Sequence, residues 1–512
     1  MTWRIRVAAM ATAMLAVFAA PASAQPPDRP ADTAVAHLRE ELAGGPPSSY
    51  ALVSADGKVT TGAVGPDVTP QSPFLLGSLS KSFTAMAVMQ LVDAGKVGLD
   101  TPITAYLPWF RTAGSNDPIT VRQLLNQTSG LPTEAGTVDL YEPETTLEQR
   151  VRALADVVPV SRPGTAFHYC NKNYATLGLL VEQVSGQSYA DYLKAHVLAP
   201  LGMNRTFTNL ADARRAGLIE GSSVLFGLNV PMETPDFPGA LPDGYLVSTA
   251  EDLSHYLTFQ MTGAYRGVRP LSAESLRLMH SAAVPTGDDH AIDGIDHYGS
   301  GWGTGTLHGQ PVVQHDGDLT RYHANLGFLP NQQVGLVVLT SRNPVLLDNG
   351  APFHHTLAML AGAPAPEIGN GFLFTYGVID GVALLALAAM VLATRRQIRR
   401  ARKLPELLRD KGFRRVAVRP LVGHLIAAAA LYAAVFVGVG LLSYGGWLPV
   451  DVAFQTLPDF TVLVLAGTAF LAVRGLGWFA LAASRTRRPA ARPSRPAQTP
   501  PARAVDEAHP VR

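Results

Sequence analysis

The sequence predicts an α/β domain whose sheet is closed by the two ends of the domain, with three membrane-spanning helices after it. Three observations carry this expectation. The stretch "SSYALVSADGKVTTGAVG" (48–65) alternates apolar and polar residues around Asp56-Gly57, a pair suited to a hairpin turn. The late stretches "QPVVQHDGDL" (310–319) and "HANLGFLPNQQVGLVVLTSRN" (323–343) read as strands with a tight turn near Pro330-Asn331. Residues 78–96 and 173–185, between them, carry helical spacing. After residue 371 come three long apolar runs.

Taken in order, residues 1–24 read as a secretory signal. Arg4 and Arg6 precede an apolar run from Val7 to Ala20, and Ala22-Ser23-Ala24 supplies the small residues that signal peptidase accepts. An uncleaved anchor is the alternative, and either reading exports the globular domain. Residues 25–35 read as a flexible leader, 36–361 as the globular domain, and 362–371 as a linker.

The spans are expected at 372–394, 421–443 and 459–483. The loop 395–420 carries eleven Lys/Arg against Glu406 and Asp410, the connection 444–458 has none, and the tail 484–512 is rich in Arg and Pro and expected to be disordered. The positive-inside rule places the loop and the tail in the cytoplasm and the globular domain outside, in agreement with the signal. The wealth of Ala, Arg, Pro and Gly points to a GC-rich bacterial genome, so the membrane expected is the bacterial cytoplasmic membrane. Asp380 and Arg474 fall inside spans. They are expected to face each other, or Arg474 to snorkel toward the cytoplasm.

Composition excludes some functions. Charged residues make up 16% of the chain, against about 25% in a typical soluble domain. The net charge of +1, with no basic stripe interleaved with aromatics, leaves nucleic-acid binding without support. A single cysteine, Cys170, allows neither an internal disulfide nor a Cys-based metal site.

The chemistry centres on "GSLSKSFTAMAV" (77–88), where Ser78 and Lys81 sit a turn apart on one face of a helix start. A serine hydroxyl needs a neighbouring base, and a lysine whose pKa is lowered by burial can be one. The helix N-terminus offers free N–H groups to an oxyanion. Ser80 points about 100° away from Lys81 on such a helix, so Ser78 fits better than Ser80 or Ser82. In "PGTAFHYCNKNYATLGLL" (163–180), Tyr169 is a phenol that, if its pKa is depressed, can share or relay the proton of Ser78, and Asn171 is an amide able to orient a substrate carbonyl or the lysine. In "VVQHDGDL" (312–319), Gly317 after His315 lets substrate lie close to a strand, and a following backbone N–H completes an oxyanion hole. Cys170 reads as a small packed residue. The adjacent His354 and His355 resemble a metal pair only superficially, because neighbours on a helix diverge. There is no G-x-S-x-G elbow.

The order S-x-x-K, Y-x-N, then a basic residue before x-G resembles the serine β-lactamase and penicillin-binding-protein superfamily. It is most similar to the branch of class C β-lactamases, D-aminopeptidases and esterases. "ITVRQLLNQTSGLP" (119–132), "YLVSTAEDLSHYL" (245–257) and "YGSGWG" (298–303) match that branch too. The resemblance implies a β-lactamase-like α/β (α+β) fold, an antiparallel sheet flanked by helices with a helical subdomain inserted and the site at their junction. It implies Ser78 as nucleophile, Lys81 and Tyr169 as general base and acid, and Asn171, His315 and Gly317 as substrate-orienting. The oxyanion hole would be the backbone N–H groups of Ser78 and Asp318. No metal or organic cofactor is expected.

The third motif is His-Asp-Gly, where the relatives that recognise β-lactams carry Lys-Thr/Ser-Gly to hold a carboxylate. His315 is mostly neutral near pH 7, and Asp316 repels a carboxylate. Arg321 compensates only if it turns inward. The expected function is therefore a membrane-anchored extracytoplasmic serine hydrolase. It would act through an acyl-enzyme on an amide, peptide or ester, with a D-amino-acid peptide or ester favoured over a β-lactam. The alternative is a penicillin-binding or sensor-type protein acylated by its ligand with little turnover. The expected partners are a small-molecule or peptide substrate and the lipid bilayer.

Overall fold

The computed structural model describes residues 30–133, 135, 145–287, 294–439, 441 and 448–486. The signal expected at 1–24 and most of the tail expected at 484–512 lie outside the described residues.

Helix α1 (Pro30–Leu42) opens the described chain, so the flexible leader expected at 25–35 gives way to helix at Pro30. The reason is an apolar stripe: Ala34, Leu38 and Leu42 recur at helical spacing and are all buried. The hairpin β1 (Ser48–Val53) and β2 (Val59–Val64) turns at Asp56-Gly57 as the alternation predicts. Then come α2 (Ser80–Asp93), α3 (Asn171–Ser185) and α4 (Ala250–Thr262). The remaining strands are β3 (Val284–Pro285), β4 (Ile295–Gly299), β5 (Trp302–Leu307), β6 (Gln310–Leu319), β7 (Tyr322–Leu329) and β8 (Val334–Thr340). Helix α5 (Ala351–Leu360) ends the domain.

The eight strands form one sheet in the order β2-β1-β8-β7-β6-β5-β4-β3, every neighbouring pair antiparallel. The first hairpin is thus joined to the last strand, with Tyr50 opposite Val338, and the sheet is closed by both ends of the domain. Period-two alternation sorts the sheet's side chains between two cores. Ala51, Val53, Val337 and Leu339 face the layer that contains α2 and α4. Tyr50, Leu52, Leu336 and Val338 face α1 and α5.

Helix α2 is buried nearly all round, from Ser80 to Met89, because it runs between the sheet layer and the helical region that contains α3. That position puts the first turn of α2 at the junction of the two halves.

Three helices come next that are long and apolar enough to cross a membrane: α6 (Gly371–Arg402), α7 (Leu404–Gly438, kinked at Gly412) and α8 (Pro458–Thr486). The basic loop expected at 395–420 is largely helical, continuing α6 and beginning α7. Asp380 and Arg474 do not meet. The Asp380 carboxylate lies beside the turn at Gly227 of the globular domain. Arg474 instead donates to Gln397 Oε1 at 2.8 Å, near the basic end of α6. The globular domain touches the helices at this same turn, where the Phe226 N–H donates to the Asp459 carboxylate.

Candidate active site

Ser78 sits in a 3-10 turn, Gly77–Leu79, that runs straight into α2. Lys81, in the first turn of α2, donates from Nζ to Ser78 Oγ at 2.8 Å and to the Asp243 backbone carbonyl at 2.8 Å. The lysine is fully buried. Burial lowers its pKa to about 8, against the partial opposition of the Asp243 and Asp316 charges. A neutral amine in contact with a serine hydroxyl is what a general base requires.

Ser80 and Ser82 turn away from this contact. Ser80 Oγ donates to the Gly77 carbonyl at 2.8 Å and Ser82 Oγ to the Leu79 carbonyl at 2.9 Å, both satisfying the turn before them.

Asp243 is held by Arg150, which sequence reasoning missed. Arg150 is fully buried and grips the Asp243 carboxylate with two bonds, Nη1 to Oδ1 at 3.0 Å and Nη2 to Oδ2 at 2.8 Å. This bidentate pair fixes the carbonyl that receives Lys81. No local signal reveals it, since 93 residues separate the partners.

Tyr169 faces Ser78 and hydrogen-bonds it, with Lys81 Nζ 4.9 Å from the ring centroid. Burial, then Tyr298, hold its hydroxyl well above the ordinary 10, and the bond with Ser78 offsets this only in part. A depressed pKa is therefore not what the structure gives: Tyr169 is a neutral phenol, because burial and the neighbouring Tyr298, Asp316 and Asp243 disfavour a phenolate. Asn171 begins α3. The loop at 126–130 positions this segment: the Cys170 N–H donates to Gln127 Oε1 at 3.0 Å, and the Asn173 side chain joins Gln127 to Ser129. Cys170 is fully buried, and burial pushes its thiol up to about 11, so it is a packed residue and not a nucleophile.

Strand β6 brings His315, Asp316, Gly317 and Asp318 against the Ser78 turn. Here glycine is required by the fold itself. A Cβ at Gly317 would lie 1.9 Å from the Leu76 carbonyl oxygen and 3.0 Å from Ser78 N. A Cβ at Gly77, whose φ is +55°, would lie 2.8 Å from Asp318 N. The two glycines let the strand and the nucleophile turn touch backbone to backbone, which brings the N–H groups of Ser78 and Asp318 together. The sequence reading of Gly317 as room for substrate is refined accordingly.

His315 Nδ1 donates to the Asp316 carbonyl at 2.6 Å, and Nε2 is hydrogen-bonded to the Tyr298 hydroxyl at 3.1 Å. Tyr298 lies in the "YGSGWG" stretch but carried no role in the sequence reading. Burial, with Asp318 adding to it, pushes the Asp316 carboxyl up to about 6. Burial also acts to raise Asp318, but its 2.6 Å bond from His323 Nδ1 prevails and holds that carboxyl below the ordinary range. Arg321 does not turn inward: it donates to Ser223 Oγ at 3.3 Å and to the Glu233 carbonyl at 3.2 Å.

These groups line a cavity of about 380 Å³ that contains Ser78, Tyr169, Asn171, His315, Asp316 and Asp318, with Phe167 and Tyr298 as its aromatic wall. Lys81 lies beneath it, as does the backbone of Gly317.

The profile of the Beta-lactamase family matches residues 31–357. The chain belongs to the beta-lactamase family. Penicillin-binding protein 4 of Amycolatopsis lactamdurans is 32% identical over 309 residues, 59% of this chain and 80% of that one. Protein flp of Staphylococcus aureus (strain MW2) is 30% identical over 281 residues, and the match spans 54% of each chain, about half the length of flp. Among solved structures, the octameric penicillin-binding protein homologue from Pyrococcus abyssi has a TM-score of 0.57 at 28% identity, covering 65% of this chain and 76% of that one. The D-amino acid amidase from Ochrobactrum anthropi SV3 shares the fold, with a TM-score of 0.55 at 20% identity over 65% of this chain and 100% of that one. The β-lactamase-like fold therefore occupies the globular part of the chain, and the three apolar helices α6–α8 come after it.

Proposed function

We propose that this member of the beta-lactamase family is a membrane-anchored, extracytoplasmic serine hydrolase that forms an acyl-enzyme on Ser78. The observation that carries the reading is the buried Lys81 amine, 2.8 Å from Ser78 Oγ with its pKa lowered to about 8. Neutral Lys81 takes the Ser78 proton as Oγ attacks the substrate carbonyl. The N–H groups of Ser78 and Asp318 receive the oxyanion. Tyr169, as a neutral phenol between Ser78 and the leaving group, passes a proton to the departing amine or alcohol and is reprotonated from Lys81. Water then attacks the ester on Ser78 by the reverse proton path and releases the acid. The membrane placement is supported by helices α6–α8 and by the eleven Lys/Arg of 395–419, which favour the cytoplasmic side.

The substrate class is set by charge. His315 is committed to the protein on both ring nitrogens, Nδ1 to the Asp316 carbonyl and Nε2 to the Tyr298 hydroxyl. Arg321 faces away, while Asp316 and Asp318 line the cavity. A substrate carboxylate meets the Asp316 and Asp318 side chains here, without the arginine that would offset them. An amide, peptide or ester without that carboxylate fits, a D-amino-acid derivative with a free amine among them. The double variant His315→Lys with Asp316→Thr should raise the β-lactam acylation rate roughly tenfold, the worth of one charge-assisted hydrogen bond of about 1.5 kcal/mol. Stopped-flow with a chromogenic cephalosporin reads this, and an unchanged rate removes the charge argument.

Mass spectrometry of the full-length protein after a fluorophosphonate probe, beside Ser78→Ala, tests the reading. A single adduct on Ser78, absent from the variant, is expected. Absence of any adduct on folded protein would overturn it. An adduct from an ester substrate that persists for hours would favour the acylated, low-turnover alternative.

A further inference from the structure

Away from Ser78, on the sheet face opposite α2, a second cluster of chemistry-bearing residues joins the two ends of the domain. His37 and Glu41 lie four residues apart on α1 and so share one side of that helix. Helix α5 packs against α1 and brings His355 to the same point. His355 Nδ1 is 2.7 Å from Glu41 Oε1, and His37 Nε2 is 3.7 Å from Glu41 Oε2. One donor atom from each of the three lies within 4.8 Å of the others.

The cluster is incomplete as a hydrogen-bonded unit. His37 Nε2 and Glu41 Oε2 are shut off from solvent, yet neither has a hydrogen-bond partner among the described residues. Their side chains are only 10% and 11% exposed, whereas His355 is 36% exposed. At 3.7 Å the two atoms are too far apart to hydrogen-bond each other, and buried polar atoms left without a partner are costly. Adjacent His354 does not take part; as the sequence suggested, helical neighbours diverge, and it is His355 with α1 that forms the group.

We propose that His37, Glu41 and His355 form a zinc site that braces α1 to α5. Two imidazoles and one carboxylate are a zinc donor set, and three ligands leave a fourth tetrahedral position for water. The 36% exposure of His355 gives the ion and that water access from solvent. The carboxylate, 314 residues from His355 in the chain, makes the ion a clip between the first and last helices of the domain. A simple His355–Glu41 ion pair accounts for the 2.7 Å contact but leaves His37 Nε2 and Glu41 Oε2, 3.7 Å apart, each without a hydrogen-bond partner among the described residues.

The test uses the full-length protein in detergent, stripped with EDTA and then given zinc sulfate. Retained metal is counted after dialysis, and the thermal midpoint is recorded with and without zinc. On the order of one zinc per chain should be retained, with a raised midpoint. His37→Gln and Glu41→Gln should each weaken zinc binding by more than the roughly 10- to 100-fold that loss of an outer-shell partner costs. Both should also abolish the zinc-dependent rise in midpoint, while exposed His297→Gln keeps both. Glu41→Gln is near-isosteric, so it keeps the test open if His37→Gln fails to fold. Zinc retained equally by the wild type and Glu41→Gln, or no zinc retained by the wild type, overturns the proposal.

Discussion

Replacing Lys81 by methionine lowers kcat/KM on an ester substrate by about 10²- to 10⁴-fold, the range for a positioned acid–base group. Methionine keeps the buried stem and removes the amine that contacts Ser78 Oγ at 2.8 Å. In the wild type, kcat/KM rises with pH through about 8, because only the neutral amine can accept the serine proton. In the variant that limb disappears. A stability signature accompanies it. Burial, the leading cause, places the folded pKa at about 8, below the ordinary 10.5. Between those values the unfolded chain still holds a proton that the folded chain has released, so wild-type stability increases with pH across that window. Lys81→Met lacks this slope. A variant that keeps activity within a few-fold of wild type would show that another group takes the serine proton.

Replacing Arg150 by methionine destabilises the domain by about 3–5 kcal/mol, the cost of leaving a buried charge without its partner. Asp243 is only 3% exposed, and Arg150 supplies both of its carboxylate contacts in the bidentate pair. Its effect also reaches the site, because the Asp243 carbonyl is a hydrogen-bond acceptor for Lys81 Nζ. kcat should therefore fall with little change in KM. Adding Asp243→Asn to Arg150→Met should restore much of the lost stability, because no buried charge is then left alone. Thermal or urea unfolding in detergent measures all three variants. A loss below about 1 kcal/mol in Arg150→Met would mean that water reaches the carboxylate and that the pair is not the brace described.

Several features were legible in the sequence because they are encoded within a few residues. Ser78 and Lys81 meet because three residues span one helical turn, whatever surrounds them. The alternation at 48–65 and the strand-like runs within 310–343 mark the strands, and the apolar runs set three long helices. The S-x-x-K, Y-x-N and His-x-Gly stretches were visible as separate motifs, and the fold brings them to one cavity.

Other features were decided only by tertiary structure, because they depend on burial and on contacts between distant segments. The pKa of Lys81 is set by its enclosure, and its Asp243 acceptor is 162 residues away. A proton relay through an acidic Tyr169 was conceivable from sequence, and burial with the nearby Tyr298, Asp316 and Asp243 holds it neutral instead. Whether Arg321 turned inward was open in the sequence, and packing against Ser223 and Glu233 turned it away. Gly317 reads locally as room for a ligand, yet the fold needs it so that the Leu76 carbonyl can pass. His355 found its partners on α1, not beside His354, because helix packing chose the neighbour. Local periodicity decides which side of an element a residue occupies; dielectric surroundings and long-range neighbours decide what that residue can do.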